Sequence, residues 1–235
     1  MAEREISYSQ LVAAIRDEAR SNSDYEKGRG LFDYEYFLDI SIPSTAKSVV
    51  KEKGSFRWYD MCCGRFKAGR QLAEGGWGVG SKVEVIGIDI DTPQPEDQVF
   101  FEGAGILTRG NVVDYPFSRK ADLITCVNGL YLVNRYLGFS SVIKAIEHWY
   151  NDGLTTGGTI ILMRESPLTG YEVPFSIEEN LKTQLGDAVV ISKPSPLPES
   201  NDEEAWLEYY GGRGPEQGCY VKIQKPNDSP IQIPK

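Results

Sequence analysis

The residues best suited to chemistry lie together in Trp58-Tyr59-Asp60-Met61-Cys62-Cys63-Gly64-Arg65-Phe66-Lys67-Ala68-Gly69. An acidic residue closing an apolar strand, a small-residue turn in which Gly64 lets the backbone approach a ligand, and a following helix make a nucleotide-type pocket. Asp89 comes twenty residues after Gly69, at the end of a second apolar run. At that spacing a carboxylate can accept both ribose hydroxyls of an adenosine. Each residue alone reads equally well as a packing glycine or a polar strand end. The ordered combination is what points to a site.

Other candidates fail on context. The cluster Gly75-Gly76-Trp77-Gly78-Val79-Gly80-Ser81 follows a helix and precedes a strand, whereas a phosphate loop follows a strand and opens a helix, so it reads as a surface turn. No G-x-G-x-x-G follows the first strand, which counts against an NAD(P)-binding Rossmann oxidoreductase, the nearest enzyme alternative. His148, the only histidine, sits in a helix beside Trp149 and reads as a packing residue. Cys62 and Cys63 have no identifiable base, and a tight buried turn explains them. The four cysteines form no C-x-x-C pair and no His cluster joins them, so neither a disulfide framework nor a zinc site is readable and no metal is expected.

The elements that must position these residues alternate in type. Apolar runs at Phe56 to Tyr59, Val83 to Ile88, Ile106 to Leu107, Ala121 to Val127 and Thr159 to Met163 read as strands, with helices at Lys67 to Glu74 and Ser140 to Tyr150. Alternation of this kind means βαβ units: an α/β fold with a Rossmann-like, doubly wound, mostly parallel sheet, whose ligands sit beyond the carboxyl ends of the strands. Ser176 with Glu179 caps a helix running to Leu185, and Ala188 to Ile191 and Cys219 to Ile223 add two strands, for seven in all. Gly157 and Gly158 are read as the turn before the fifth strand.

Residues 1–54 form an N-terminal helical extension: Ser7 and Gln10 fit a capping box, and Pro43 opens a further helix that Gly54 can end. The core spans 55–225, its long connection 193–217 is a candidate lid, and 226–235 is expected to be a frayed tail. Lys and Arg total 25 against 34 Asp and Glu, a formal charge of −9 over 235 residues. That balance removes the term that dominates nucleic-acid affinity, so no nucleic-acid partner is expected. A charged N-terminus and the lack of any long apolar run argue for no membrane partner and a cytoplasmic setting.

The core resembles the class I S-adenosylmethionine-dependent methyltransferases from Phe56 to about Met163. Tyr59-Asp60-Met61-Cys62-Cys63-Gly64 is similar to the family's first motif and Val85-Ile86-Gly87-Ile88-Asp89-Ile90 to its second. Gly110 to Phe117, Ala121 to Thr125, and Leu154 to Ile160 are similar to the third, the fourth and the Gly-Gly turn. The resemblance implies S-adenosyl-L-methionine as cofactor, with Asp60 near its methionine end and the backbone of Cys62, Cys63 and Gly64 beneath it. Asp89 would hold the ribose, Ile90, Asn111 and Val112 the adenine, and Val127 the region of the sulfonium. Three positions depart from the pattern: Cys62 replaces the first glycine, Phe66 stands near a later one with Gly69 displaced, and Asn111 replaces an aspartate.

The activity implied is in-line methyl transfer to O, N or C of a small-molecule acceptor, in which the protein mainly aligns nucleophile and methyl. Groups beyond the fourth and fifth strand ends then come forward: Glu165 as general base, Tyr131 beside it, and Asn128 and Arg164 on the acceptor. Tyr34, Tyr36 and Trp206 are candidate aromatic contacts for a planar or partly apolar acceptor, while Phe32 and Phe37 read as packing on the sheet. Two alternatives stay open, because fold does not fix function. One is non-methylating chemistry, a rearrangement or cyclisation, on the same fold; the other is a cofactor-binding regulatory protein.

Overall fold

A computed structural model of the chain describes residues 10, 12–14, 30–75, 77–78, 80–90, 105–127, 129–163, 165–166, 170–171, 175–192 and 220–234. The expected first helix, the long connection 193–217, and Asn128, Arg164 and Trp206 lie largely or wholly outside them.

Helices α1 (Leu31–Leu38) and α2 (Ile42–Lys53) come first, α2 starting beside Pro43 and ending on left-handed Gly54 as its sequence requires. Then follow β1 (Phe56–Met61), α3 (Lys67–Glu74), β2 (Val83–Asp89), β3 (Gly105–Arg109) and β4 (Ala121–Cys126). The second half holds α4 (Leu130–Leu137), α5 (Phe139–His148) with a π-helical turn at Trp149–Gly153, and β5 (Leu154–Met163). A short β6 (Glu165–Ser166) and β7 (Gly170–Tyr171) form a hairpin before α6 (Phe175–Leu185), β8 (Val189–Ile191) and β9 (Tyr220–Gln224).

The main sheet has seven strands, as expected; their order is β3-β2-β1-β4-β5-β9-β8, and β9 runs antiparallel to both its neighbours. The chain winds outward from β1 through β2 to β3, then returns to β4 on the other side of β1. That reversal opens a crevice between β1 and β4 at their carboxyl ends.

Alternation along each strand sends side chains to two cores. Tyr59, Met61, Ile124, Cys126, Ile160 and Leu162 join α4, α5 and α6 on one face. Phe56, Trp58, Leu123, Ile161 and Met163 meet α1, α2 and α3 on the other. Asp60 and Thr125 share the parity of Trp58 and Leu123 and so face α1.

Three expectations need correction, and one helix is additional to those expected. Gly157, with φ of 77°, marks an irregularity inside β5, which starts at Leu154 rather than after a Gly-Gly turn, and the β4–β5 register shifts there. Helix α4 precedes α5 as a separate element, broken from it at Gly138. Phe32 is 76% exposed, so it does not pack on the sheet. The tail is docked: Ile231 and Ile233 enter the first core, Asn151 exchanges two hydrogen bonds with the backbone of Ile231, and the amide of Ile233 donates to Glu147. Prolines bracketing two isoleucines keep this segment extended, and burial of those two side chains holds it. Among the described residues, no helix is long and apolar enough to cross a membrane.

Candidate functional site

The first two strands end in carboxylates on either side of one turn. Asp60, only 1% exposed, is the penultimate residue of β1, and Asp89, 6% exposed, closes β2. Between them Cys62, Gly64 and Phe66 all adopt left-handed backbone, with φ of 58°, 56° and 55°. The amide of Gly64 donates to Asp89 Oδ2 at 2.8 Å, and that of Cys63 donates to the carbonyl of Ile88 at 3.2 Å. The turn is thereby stitched to the end of β2, and Asp89 is oriented by the backbone it faces.

The two departures from glycine fall on left-handed positions, where a Cβ costs roughly 1–2 kcal/mol. Their side chains are accommodated elsewhere in the chain. The Phe66 ring is 1% exposed and lies against Gly69 of α3 and Gly87 of β2; a Cβ on either glycine would fall within 3.0 Å of ring carbons. The Cys62 side chain fits against Gly129, where a Cβ would come within 3.0 Å of both its Cβ and its Sγ. Bulk at 62 and 66 is thus matched by missing side chains at 129, 69 and 87. Phe66 and Cys62 fold into the two cores. Gly69, which reads in sequence as a displaced turn glycine, is a packing glycine for Phe66.

Asp60 belongs to a buried polar relay. The Trp58 indole N–H donates to Thr125 Oγ1 at 2.8 Å, the Thr125 hydroxyl donates to Asp60 Oδ1 at 3.0 Å, and the Tyr34 hydroxyl lies 2.6 and 2.7 Å from the two carboxylate oxygens. The Tyr34 ring also stands edge-on to Trp58, with centroids 5.5 Å apart. A charged acceptor with such donors satisfies the rule for buried carboxylates. Thr125 and Trp58 were not singled out from the sequence. The signal was there, in a hydroxyl directly after the apolar pair Leu123-Ile124.

Cys63 is buried between the two carboxylates, and burial first, then the charges of Asp60 and Asp89, push its thiol well above the usual range. It is therefore held as a neutral thiol and is unsuited to nucleophilic chemistry.

Beyond β3, the Asn111 side-chain oxygen accepts the Val113 amide at 3.1 Å, the local turn that Asn or Asp forms with equal ease. The Val112 side chain is part of the first core, and its carbonyl accepts the Trp149 indole N–H at 2.6 Å. His148 points its two ring nitrogens at Asp152 (2.8 Å) and at the carbonyl of Tyr115 (2.7 Å), with Phe117 at 5.0 Å. The end of α5 therefore pins the loop 111–117, which gives His148 its structural role. Ile90 follows β2, and its carbonyl accepts Arg109 Nε at 3.3 Å.

Val127 is buried just after β4, and Tyr131 sits half-buried in the first turn of α4. Tyr36 packs with Phe32 and Phe37, so α1 presents Tyr34 and not Tyr36 to Asp60. Glu165 begins β6, and its side chain is outside those described.

The seven-stranded order with its antiparallel β9 is a class I methyltransferase-like fold. No family model and no curated protein matches the sequence. Among solved structures, the chain is similar to the amino pentose methyltransferase CalS10 from Micromonospora echinaspora, with 15% identity over 64% of this chain and 55% of that one and a TM-score of 0.36. It is similar to the sugar N-methyltransferase KedS8 from Streptoalloteichus sp ATCC 53650, with 19% identity over 54% of this chain, 49% of that one and a TM-score of 0.37. A third is the N-methyltransferase NodS from Bradyrhizobium japonicum with S-adenosyl-L-homocysteine, at 13% identity over 92% of this chain and 99% of that one, TM-score 0.46. The chain spans about half the length of the first two. The fold assignment rests on its own strand order and register.

Proposed function

We propose that this chain is an S-adenosylmethionine-dependent methyltransferase that transfers a methyl group in line to O, N or C of a small-molecule acceptor. The observation that carries this reading is the pair of buried carboxylates at adjacent strand ends, with the Asp89 carboxylate bonded to the turn between them. The donor set suits the cofactor. Asp89 would face its hydroxyls and Asp60 its ammonium, while the Cys62 and Phe66 side chains are folded into the cores.

When bound, S-adenosylmethionine supplies an electrophilic methyl on a sulfonium. In this reading Asp89 holds the ribose hydroxyls, the backbone of Cys62, Cys63 and Gly64 runs beneath the methionine end, and Ile90, Asn111 and Val112 border the adenine. Val127 and Tyr131 lie toward the acceptor, whose further contacts we assign to Tyr36, Asn128, Arg164 and Trp206. Glu165 removes the nucleophile's proton where the acceptor needs it. Alignment of nucleophile and methyl supplies most of the rate.

Calorimetric titration tests the reading. The wild type is expected to bind S-adenosylmethionine and S-adenosylhomocysteine in the micromolar range, and Asp89→Ala to weaken both by about tenfold or more, roughly 1.4 kcal/mol. Asp89→Asn keeps an acceptor for the Gly64 amide and serves as the folding control. Failure of the well-folded wild type to bind either compound would sink the proposal.

A further inference from the structure

Asp60 is the carboxylate that the proposed function assigns to the cofactor's amino-acid end, yet a phenol already sits on it. The Tyr34 hydroxyl reaches both oxygens at 2.6 and 2.7 Å, and Thr125 holds Oδ1 from the sheet side. Tyr34 comes from α1, which is tied down a second time where the Leu31 amide donates to Gln71 Oε1 of α3 at 2.8 Å. The Thr125 hydroxyl is committed by its bond from Trp58, so its direction toward Asp60 is fixed. Of these two, Tyr34 is the one carried by a helix whose movement would remove it.

We propose that Tyr34 is a latch on Asp60, closed when its hydroxyl holds the carboxylate and opened by a ligand that carries an ammonium group. This rests on the cofactor reading above and adds to it a selectivity for the amino-acid end. The exchange has a physical direction. Both bonds are charge-assisted at the carboxylate, but an ammonium also carries a full positive charge and pairs with it as an ion, which a neutral phenol cannot do. A ligand with an ammonium gains by displacing Tyr34, and one without it does not. Displacing the latch still subtracts from affinity, because the apparent dissociation constant rises as the binding-competent fraction falls.

Two titrations and one spectroscopic label test this. The ligands are S-adenosylhomocysteine, which has the ammonium, and 5′-methylthioadenosine, which shares the nucleoside and the sulfur but lacks the amino-acid end. Tyr34→Phe keeps the ring on Trp58 and removes only the hydroxyl. It is expected to tighten S-adenosylhomocysteine by about fivefold and leave 5′-methylthioadenosine unchanged, as expected for a group that competes with one ligand only. In parallel, 3-fluorotyrosine placed at position 34 should shift its fluorine resonance with the first ligand and not with the second.

Equal or weaker binding of S-adenosylhomocysteine by Tyr34→Phe overturns the latch, as does a gain that both ligands share. A fluorine signal that ignores S-adenosylhomocysteine overturns it even if the variant fails to fold. If the wild type binds neither ligand, the cofactor reading itself is lost, an outcome distinct from the other three.

Discussion

Gly87→Ala is expected to lower the stability of this protein by about 3 kcal/mol, the upper part of the range for overpacking a core. The added methyl would enter the space of the Phe66 ring and approach Cys63 Sγ at 2.8 Å, in a strand paired on both sides. Neither neighbour has an easy escape. Phe66 is buried between α3 and β2, and its backbone is fixed by a bond from its amide to the Cys63 carbonyl at 3.0 Å.

Phe66→Ala alone should cost about 3–5 kcal/mol for a lost buried ring. The informative variant is the double one. With the ring gone, the methyl at 87 fills part of the cavity, so Gly87→Ala with Phe66→Ala should be less destabilised than the sum by about 2 kcal/mol. Urea denaturation of the four proteins measures this coupling. Strict additivity would mean that Phe66 and Gly87 do not share one space.

That pairing shows where the sequence stops being legible. Strands and helices were readable because hydrophobic period and caps are local: Lys67 to Glu74 and the strand ending at Asp89 fall where expected. Cys62 and Phe66 were visible as departures from expected glycines, but their left-handed backbone was not. What could not be read was the matching absence of side chains at Gly87 and Gly129, since a packing partner 21 or 67 residues away leaves no periodic trace. The same holds for Tyr34, whose aromatic character suggested an acceptor contact and whose hydroxyl bond to Asp60, 26 residues on, leaves no trace in the sequence. Helix α4 was missed because Gly129 and Gly138 bracket it as if it were a loop. The docked tail reads as frayed because its burial rests on two isoleucines with no ladder to announce them.

Lys225 carries the second large effect, again invisible in sequence because lysines are almost always exposed. Here the side chain is only 1% exposed, and its ammonium donates to the carbonyls of Tyr150 at 2.8 Å and of Asn151 and Leu154 at 3.3 Å. Those carbonyls belong to the π-helical turn that ends α5 and to the first residue of β5, where intrahelical donors run out and the helix dipole is negative. The Tyr150 ring lies 5.1 Å from the ammonium, which adds a cation–π contact. The Lys225 backbone is itself anchored, accepting from Gly157 at 2.7 Å and donating to Gly158 at 3.0 Å, so the bulge in β5 holds the residue that caps the preceding helix.

Lys225→Met keeps the aliphatic stem and removes the three donors, leaving buried carbonyls without their partner. The expected loss is about 3 kcal/mol, since each stranded acceptor costs on the order of 1 kcal/mol or more. For a chain of this size that lowers Tm by roughly 6–12 °C. Because the end of α5 also pins the loop 111–117 through His148 and Trp149, the damage should spread to that loop. Hydrogen exchange should then show faster amides in 111–117 as well as in 149–154. A Tm within about 1 °C of wild type would mean that water replaces the ammonium and that the helix end does not depend on it.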